Sequence, residues 1–259
     1  MFAIYKKEMR SYFINPIGYV YMGIFLALSA LVFCYTTFHA KSYDLSLYFY
    51  YMIFAFVILL PLLTMRSFAE ERKLRTEQML LTAPVSITGM VLGKVLAALT
   101  VFFSSVLLSC VNLIPLLSVA AEEKAAAQYA SQVANIGPSG SLIFGALVGV
   151  LLVGTVFITI GVFISALTES QLAAAVSTIG VIVLMVAPTF LNQLGSDADG
   201  TRLIGSVAVR SVIDWISVLS RFESFFVGKF DVAALFYYLS LAFVFVFLTV
   251  RVYERRRWN

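Results

Sequence analysis

The chain has 259 residues, of which 61% are hydrophobic and only 12% charged, with a formal net charge of +4. A water-soluble domain carries about 25% charged residues, and disorder needs low hydrophobicity with high charge, so both classes are excluded. What remains is an all-α polytopic membrane protein, a single membrane domain over 1–259 whose 15% aromatic content suits lipid-facing and interfacial surfaces.

The first 16 residues predict an interfacial amphipathic helix. Phe2, Tyr5, Met9, Tyr12 and Phe13 recur at helical spacing, while Lys6, Lys7, Glu8 and Arg10 take the other face. Asn15-Pro16 ends it and turns the chain into the first span. That span is long enough to cross a bilayer, so a cleaved leader is not expected.

Crossing takes about 20 apolar residues, and six runs qualify: 17–38, 47–65, 95–117, 142–167, 172–191 and 233–250. None contains Asp, Glu, Lys, Arg or His. Six spans put both termini on one side. With the termini inside, the inner segments hold 12 Lys/Arg in 58 residues and the outer segments 6 in 73. The positive-inside rule therefore expects cytoplasmic termini in a cell membrane, and assigns the basic excess to topology rather than nucleic acid.

Span one ends in Tyr35, Thr36 and Thr37, and span two begins with Tyr48, Tyr50 and Tyr51, which read as an aromatic belt. Segment 66–94 is the longest inner loop and the most charged part of the chain. Helix formers run from Phe68 to Leu81, Ala83-Pro84 breaks the run, and Ser86 or Thr88 can cap span three. The mixed signs over 70–78 suit docking to a protein more than to anionic lipid, which favours uniformly basic residues.

In span three, Ser105, Ser109 and Asn112 share a face and suit helix packing or a lined path. Beyond it, residues 120–132 favour a helix and 135–138 a turn. Gly145, Gly149, Gly154 and Gly161 in span four invite close helix packing. The four-residue linker 168–171 makes spans four and five a tight hairpin.

In the outer loop 192–232, residues 195–200 are turn chemistry. Val212, Trp215, Ile216, Leu219 and Phe222 then line one helical face, with Arg210, Asp214 and Arg221 largely off it. One or two short amphipathic helices are expected there, dipping toward the membrane or folding back on the bundle.

The run 68–73, then 76–86 and 91–94, resembles the first cytoplasmic loop of ABC-2-type transporter permeases. It looks most like the gliding-motility-associated branch, with the nitrous-oxide-reductase maturation permease as a cousin. The start from Lys6 to Ile17, the outer segment around Phe222-Glu223-Ser224-Phe225, and the end from Leu248 to Trp258 are also similar to that family. Its members often have Gly before the Thr-Glu pair, where this chain has Arg75, and a Pro and a His where it has Val218 and Arg221.

The resemblance implies the permease subunit of an exporter, which pairs with a second permease, identical or related. Two cytoplasmic ATPase subunits carry the ATP and Mg. The helix between spans two and three becomes a coupling helix seated on the ATPase, with Glu70, Glu71, Arg72, Lys73, Arg75, Glu77 and Gln78 as docking residues. Lys6, Lys7 and Arg10 belong to the interfacial helix. An accessory membrane subunit with an extracellular domain belongs to the same expectation.

Chemistry missing from the chain agrees with that division of labour. A P-loop needs a Gly five residues before its Gly-Lys, then Ser or Thr, and neither Gly93-Lys94-Val95 nor Gly228-Lys229-Phe230 qualifies. The spans lack the titratable group that proton coupling uses. His39 is the only histidine, too few for a two-His zinc site, and Cys34 and Cys110 form no CxxC. Enzyme activity in this chain is therefore not expected. The alternative reading is a structural or channel-forming subunit not driven by ATP.

Overall fold

The computed structural model describes residues 1–39, 43, 45–78, 85–126, 140–194, 217–226 and 231–258. Among the described residues the chain is helical throughout, and six helices are long and apolar enough to cross a membrane. The segments 135–138 and 195–200, and Arg210, Val212, Asp214, Trp215 and Ile216 of the expected outer helix, lie outside the described residues.

Helix α1 (Phe2–Ile14) stops at Asn15, whose extended backbone is what a following proline demands. Pro16 then opens α2 (Ile17–Phe33), which runs on through a π-helical stretch, Cys34–His39. Helix α3 (Ser46–Thr64) is followed after one residue by the short α4 (Arg66–Lys73). Helix α5 (Ile87–Ser109) passes through a 3-10 turn, Cys110–Asn112, into α6 (Leu113–Ala126). Helices α7 (Gly140–Leu167) and α8 (Gln171–Leu194) form the hairpin. The short α9 (Val218–Phe226) precedes α10 (Val232–Trp258).

Four starts have side-chain caps among the described residues, Ser86, Ser170, Ser217 and Asp231. Ser86 Oγ accepts from Gly89 N at 3.3 Å and opens α5, and Asp231 Oδ1 accepts from Ala233 N at 2.9 Å and opens α10. Because Ser86 caps it, α5 begins about two turns before the apolar run at 95 and carries Lys94 within it.

The run of helix formers from Phe68 to Leu81 is not one helix. It stops at Lys73, because residues 74–76 close a C-terminal cap: Arg75 N donates to Arg72 O at 3.0 Å and Thr76 N to Glu71 O at 2.9 Å. Residues 79–81 lie outside the described set.

Helices α3, α5 and α7 form the centre. In the apolar stretch of α7, 67% is buried, against 28% for α2, 33% for α8 and 22% for α10, which leave broad faces to lipid or to other chains. Packing without a hydrophobic driving force relies on close approach and on polar contacts. An aromatic series crosses the bundle from Phe25 to Phe56 (5.9 Å) and on to Phe102 (5.2 Å). Phe102 rests where a side chain on Gly154 would stand, 2.2 Å from its ideal Cβ.

Asn112 Nδ2 donates to Ser29 Oγ at 2.8 Å, and Ser29 shares a hydrogen bond with Tyr48 at 2.9 Å. Asn112 thus ties the end of α5 to α2, and through Ser29 to α3. The short α9 folds back on the bundle: Phe222 and Phe225 are fully buried and pack against Gly149. Tyr238 Oη of α10 donates to Val218 O at 2.6 Å, and Arg221 lies 4.1 Å from the Tyr237 ring centre.

Candidate coupling site

The end of the bundle that carries both termini gathers the charges that the sequence scatters. Lys94 is its centre. Its side chain is 1% exposed, and a buried ammonium is costly unless paired and hydrogen-bonded. Here Nζ meets Glu8 Oε1 at 2.8 Å and Glu71 Oε2 at 3.0 Å, donates to Ser67 O at 2.6 Å, and lies 4.9 Å from the Phe68 ring centre. Glu71 also takes Lys7 at 3.1 Å. One buried cation thus ties α1 and α4 to α5.

A second set ties α4 to the other end of the chain. Arg72 meets Glu77 at 3.4 Å and Glu169 at 3.2 Å, and donates to Leu167 O at 3.0 Å. Arg256 meets Glu77 at 3.1 Å. Phe68 packs against Tyr253 with ring centres 4.6 Å apart, both buried. Arg66 and Glu70 pair within one stretch of helix, and Arg251 pairs with Glu254 at 2.7 Å.

The joint between α3 and α4 is built from another helix. Ser165 Oγ donates to Met65 O and accepts from Ala69 N, each at 3.1 Å. Those two backbone groups would bond each other in an unbroken helix, so the α7 hydroxyl is inserted into the ladder, a recognised cause of a helix break. Phe68 N donates to the same oxygen at 3.1 Å.

Helix α1 is anchored on α5, not only on its apolar face. Ile4 packs closely on Gly93, with its Cγ2 3.2 Å from where an ideal Cβ would stand. Tyr5 shares a hydrogen bond with Thr100 at 3.2 Å. Tyr12 Oη donates to Leu63 O at 3.4 Å; burial, with Glu8 adding to it, pushes this hydroxyl well above its ordinary pKa, so it stays neutral. A hollow of about 430 Å³ lies between α1 and α4, lined by Lys7, Glu8, Arg66, Glu70, Glu71 and Lys94 among others.

The residues singled out from the sequence thus divide. Glu70, Glu71, Arg72, Glu77 and Lys7 are held by ion pairs inside the chain. Lys6, Arg10, Lys73, Arg75 and Gln78 are exposed. Arg75 has φ 57°, the left-handed region that costs a non-glycine residue roughly 1–2 kcal/mol. Its backbone N bonds Arg72 O, so this conformation belongs to the turn that ends α4.

Sequence reasoning did not assign Glu8, Lys94, Ser165, Glu169, Tyr253 or Arg256 to this site. A signal for Lys94 was present: a helix capped at Ser86 carries it more than two turns in. The partners of Glu77 and Arg72 had none, since Arg256 and Glu169 are far away in sequence.

The family model for ABC-2 family transporter proteins matches residues 16–249. No curated protein matches the chain. That match covers five spans, most of the sixth and the ion-paired segment between the second and third, and the chain belongs to the ABC-2 family of transporter proteins.

Proposed function

We propose that this chain is the permease of an ATP-driven exporter, and that the end carrying both termini faces the cytoplasm and docks the ATPase subunits. Membership of the family supports a permease subunit of an ABC transporter that partners with ATPases. The observation that carries the docking assignment is the clamping of α4. Ion pairs and rings join it to α1, α5, α10 and the α7–α8 turn. A force applied at α4 therefore reaches the third and sixth spans directly, and the interfacial helix α1 with them.

In this reading two permeases, identical or related, enclose the path between them. Two ATPase subunits hold ATP and Mg, and their closure on ATP moves α4. The charge-free spans favour a lipidic or amphipathic cargo over a free ion. The branch associated with gliding motility is the best fit to segment 68–94, and an accessory subunit with an extracellular domain fits the same assembly.

The test is copurification from native membranes in mild detergent, with every chain identified by mass. The expected result is an ATP-hydrolysing subunit and a permease, either a second copy or a related chain. Recovery of this chain free of any nucleotide-binding subunit contradicts the reading.

A further inference from the structure

The four inner segments contain twelve Lys/Arg and six Glu. All six glutamates, Glu8, Glu70, Glu71, Glu77, Glu169 and Glu254, are taken by bases of the chain itself. Those pairs use six bases. Among the described residues, Lys6, Arg10, Lys73, Arg75, Arg255 and Arg257 are left without an ion pair, and all six are exposed. The sequence looks mixed in sign here; among the described residues, the side-chain charges left unpaired are uniformly basic.

We propose that Lys73, Leu74 and Arg75 form the contact tip for an acidic groove on the ATPase subunit, and that the glutamates of 70–77 shape this tip from within instead of meeting the partner. The proposal rests on the docking assignment above and adds to it the charge of the partner surface. Three observations single out this tip among the six free bases. Lys73 and Arg75 flank Leu74, a large apolar side chain 64% exposed, so cation, apolar group and cation are presented together. Backbone bonds from Leu74, Arg75 and Thr76 to Glu70, Arg72 and Glu71 fix the turn. Arg75 holds a backbone conformation that glycine would adopt without cost, and such strain gathers at contact sites.

Anionic lipid also attracts bases, but it needs neither a fixed turn nor a strained one. Lys6 and Arg10 suit that surface better: they lie on α1 with Phe2, 75% exposed, and Ile14, 68% exposed. A preorganised tip with one apolar residue between two cations suits a shaped, acidic protein groove.

The experiment uses the full chain in nanodiscs with the ATPase that copurifies with it. Lys73→Glu with Arg75→Glu is compared with Lys6→Glu with Arg10→Glu, which changes the net charge equally, and with the milder Lys73→Gln with Arg75→Gln. Monodisperse elution verifies folding. The first pair should weaken ATPase association by about tenfold or more, the glutamine pair by less, and the α1 pair little. Association should also weaken as salt rises, because exposed charges are screened over about 8 Å at physiological ionic strength.

Equal loss from both reversed pairs, or unchanged association in the Lys73 and Arg75 variants, overturns the proposal. So does a loss seen only in nanodiscs containing phosphatidylglycerol and absent in phosphatidylcholine, which assigns the tip to lipid. Leu74→Cys separates this failure from failure of the docking assignment. If it crosslinks to the ATPase while charge has no effect, only the acidic groove is wrong. If it does not crosslink, both fall.

Discussion

Lys94 is the residue on which the terminal end depends. Replacing it with Met leaves Glu8 and Glu71 without their buried partner, and breaking a buried pair costs about 3–5 kcal/mol. Lys94→Met should therefore lower the midpoint of thermal unfolding in detergent. Adding Glu8→Gln and Glu71→Gln should recover much of the loss, because removing these charges is less costly than stranding Glu8 and leaving Glu71 with only its exposed partner Lys7. If the triple variant is no more stable than the single one, the pairing is not what holds Lys94. The same geometry alters the meaning of Glu71→Lys, which from sequence alone looks like a change to an outward docking face. It would set a cation against Lys94 and Lys7, and so disturb the chain's own assembly. At Arg75 the sign reverses. Arg75→Gly relieves the left-handed backbone and should stabilise the turn by about 1 kcal/mol, read as a raised unfolding midpoint. A lowered midpoint would mean that the guanidinium contributes more to the fold than its φ costs.

Elements were legible from the sequence to the extent that their cause was local. Charge-free runs of sufficient length mark the six spans, and Asn15-Pro16 marks the end of α1, because both signals lie within the segment they define. Where the cause is distant, the sequence misleads. Ser86 marks the start of α5 and so puts Lys94 inside it, but Glu8 and Glu71, which let that lysine be buried there, come from other elements and have no signal beside it. A local cause can be missed as well: the helix expected over 68–81 breaks at residue 74, where Arg75 N and Thr76 N close back on Arg72 O and Glu71 O. Ser165 has no signal of its own, since any serine in a span reads as packing. The role of α1 also changes. Its apolar face was expected to lie in the membrane interface, yet Ile4 and Tyr12 are buried and Tyr5, Met9 and Phe13 pack on the core. Replacing Tyr5, Met9 and Phe13 together by Ser should leave membrane insertion intact, because the spans set it, and should impair ATP-driven activity of the assembled complex. Membrane yield and ATPase turnover, measured separately, check this; unchanged turnover would make α1 a passive anchor.

At the scale of the molecule, a buried centre of α3, α5 and α7 is flanked by α2, α8 and α10, whose apolar faces remain largely uncovered. The charges are sorted to match. The terminal end pairs its acids internally and keeps a basic surplus, while the spans stay free of charge apart from the buried Lys94 near one end of α5. The family match accounts for the spans, and under the proposed docking the clamped α4 would carry motion from the ATPase into them. Everything in this account requires that the terminal end lie in the cytoplasm. The most direct measurement is therefore the accessibility of a single cysteine at the tip, Arg75→Cys, in a chain whose Cys34 and Cys110 are replaced by Ser, beside Ala130→Cys and Gly200→Cys. With a membrane-impermeant maleimide on intact cells, positions 130 and 200 should label and position 75 should not. In inverted membranes stripped of peripheral proteins, position 75 should label, and rebinding the ATPase should protect it. Labelling of position 75 from outside intact cells would contradict the orientation, and the coupling role with it.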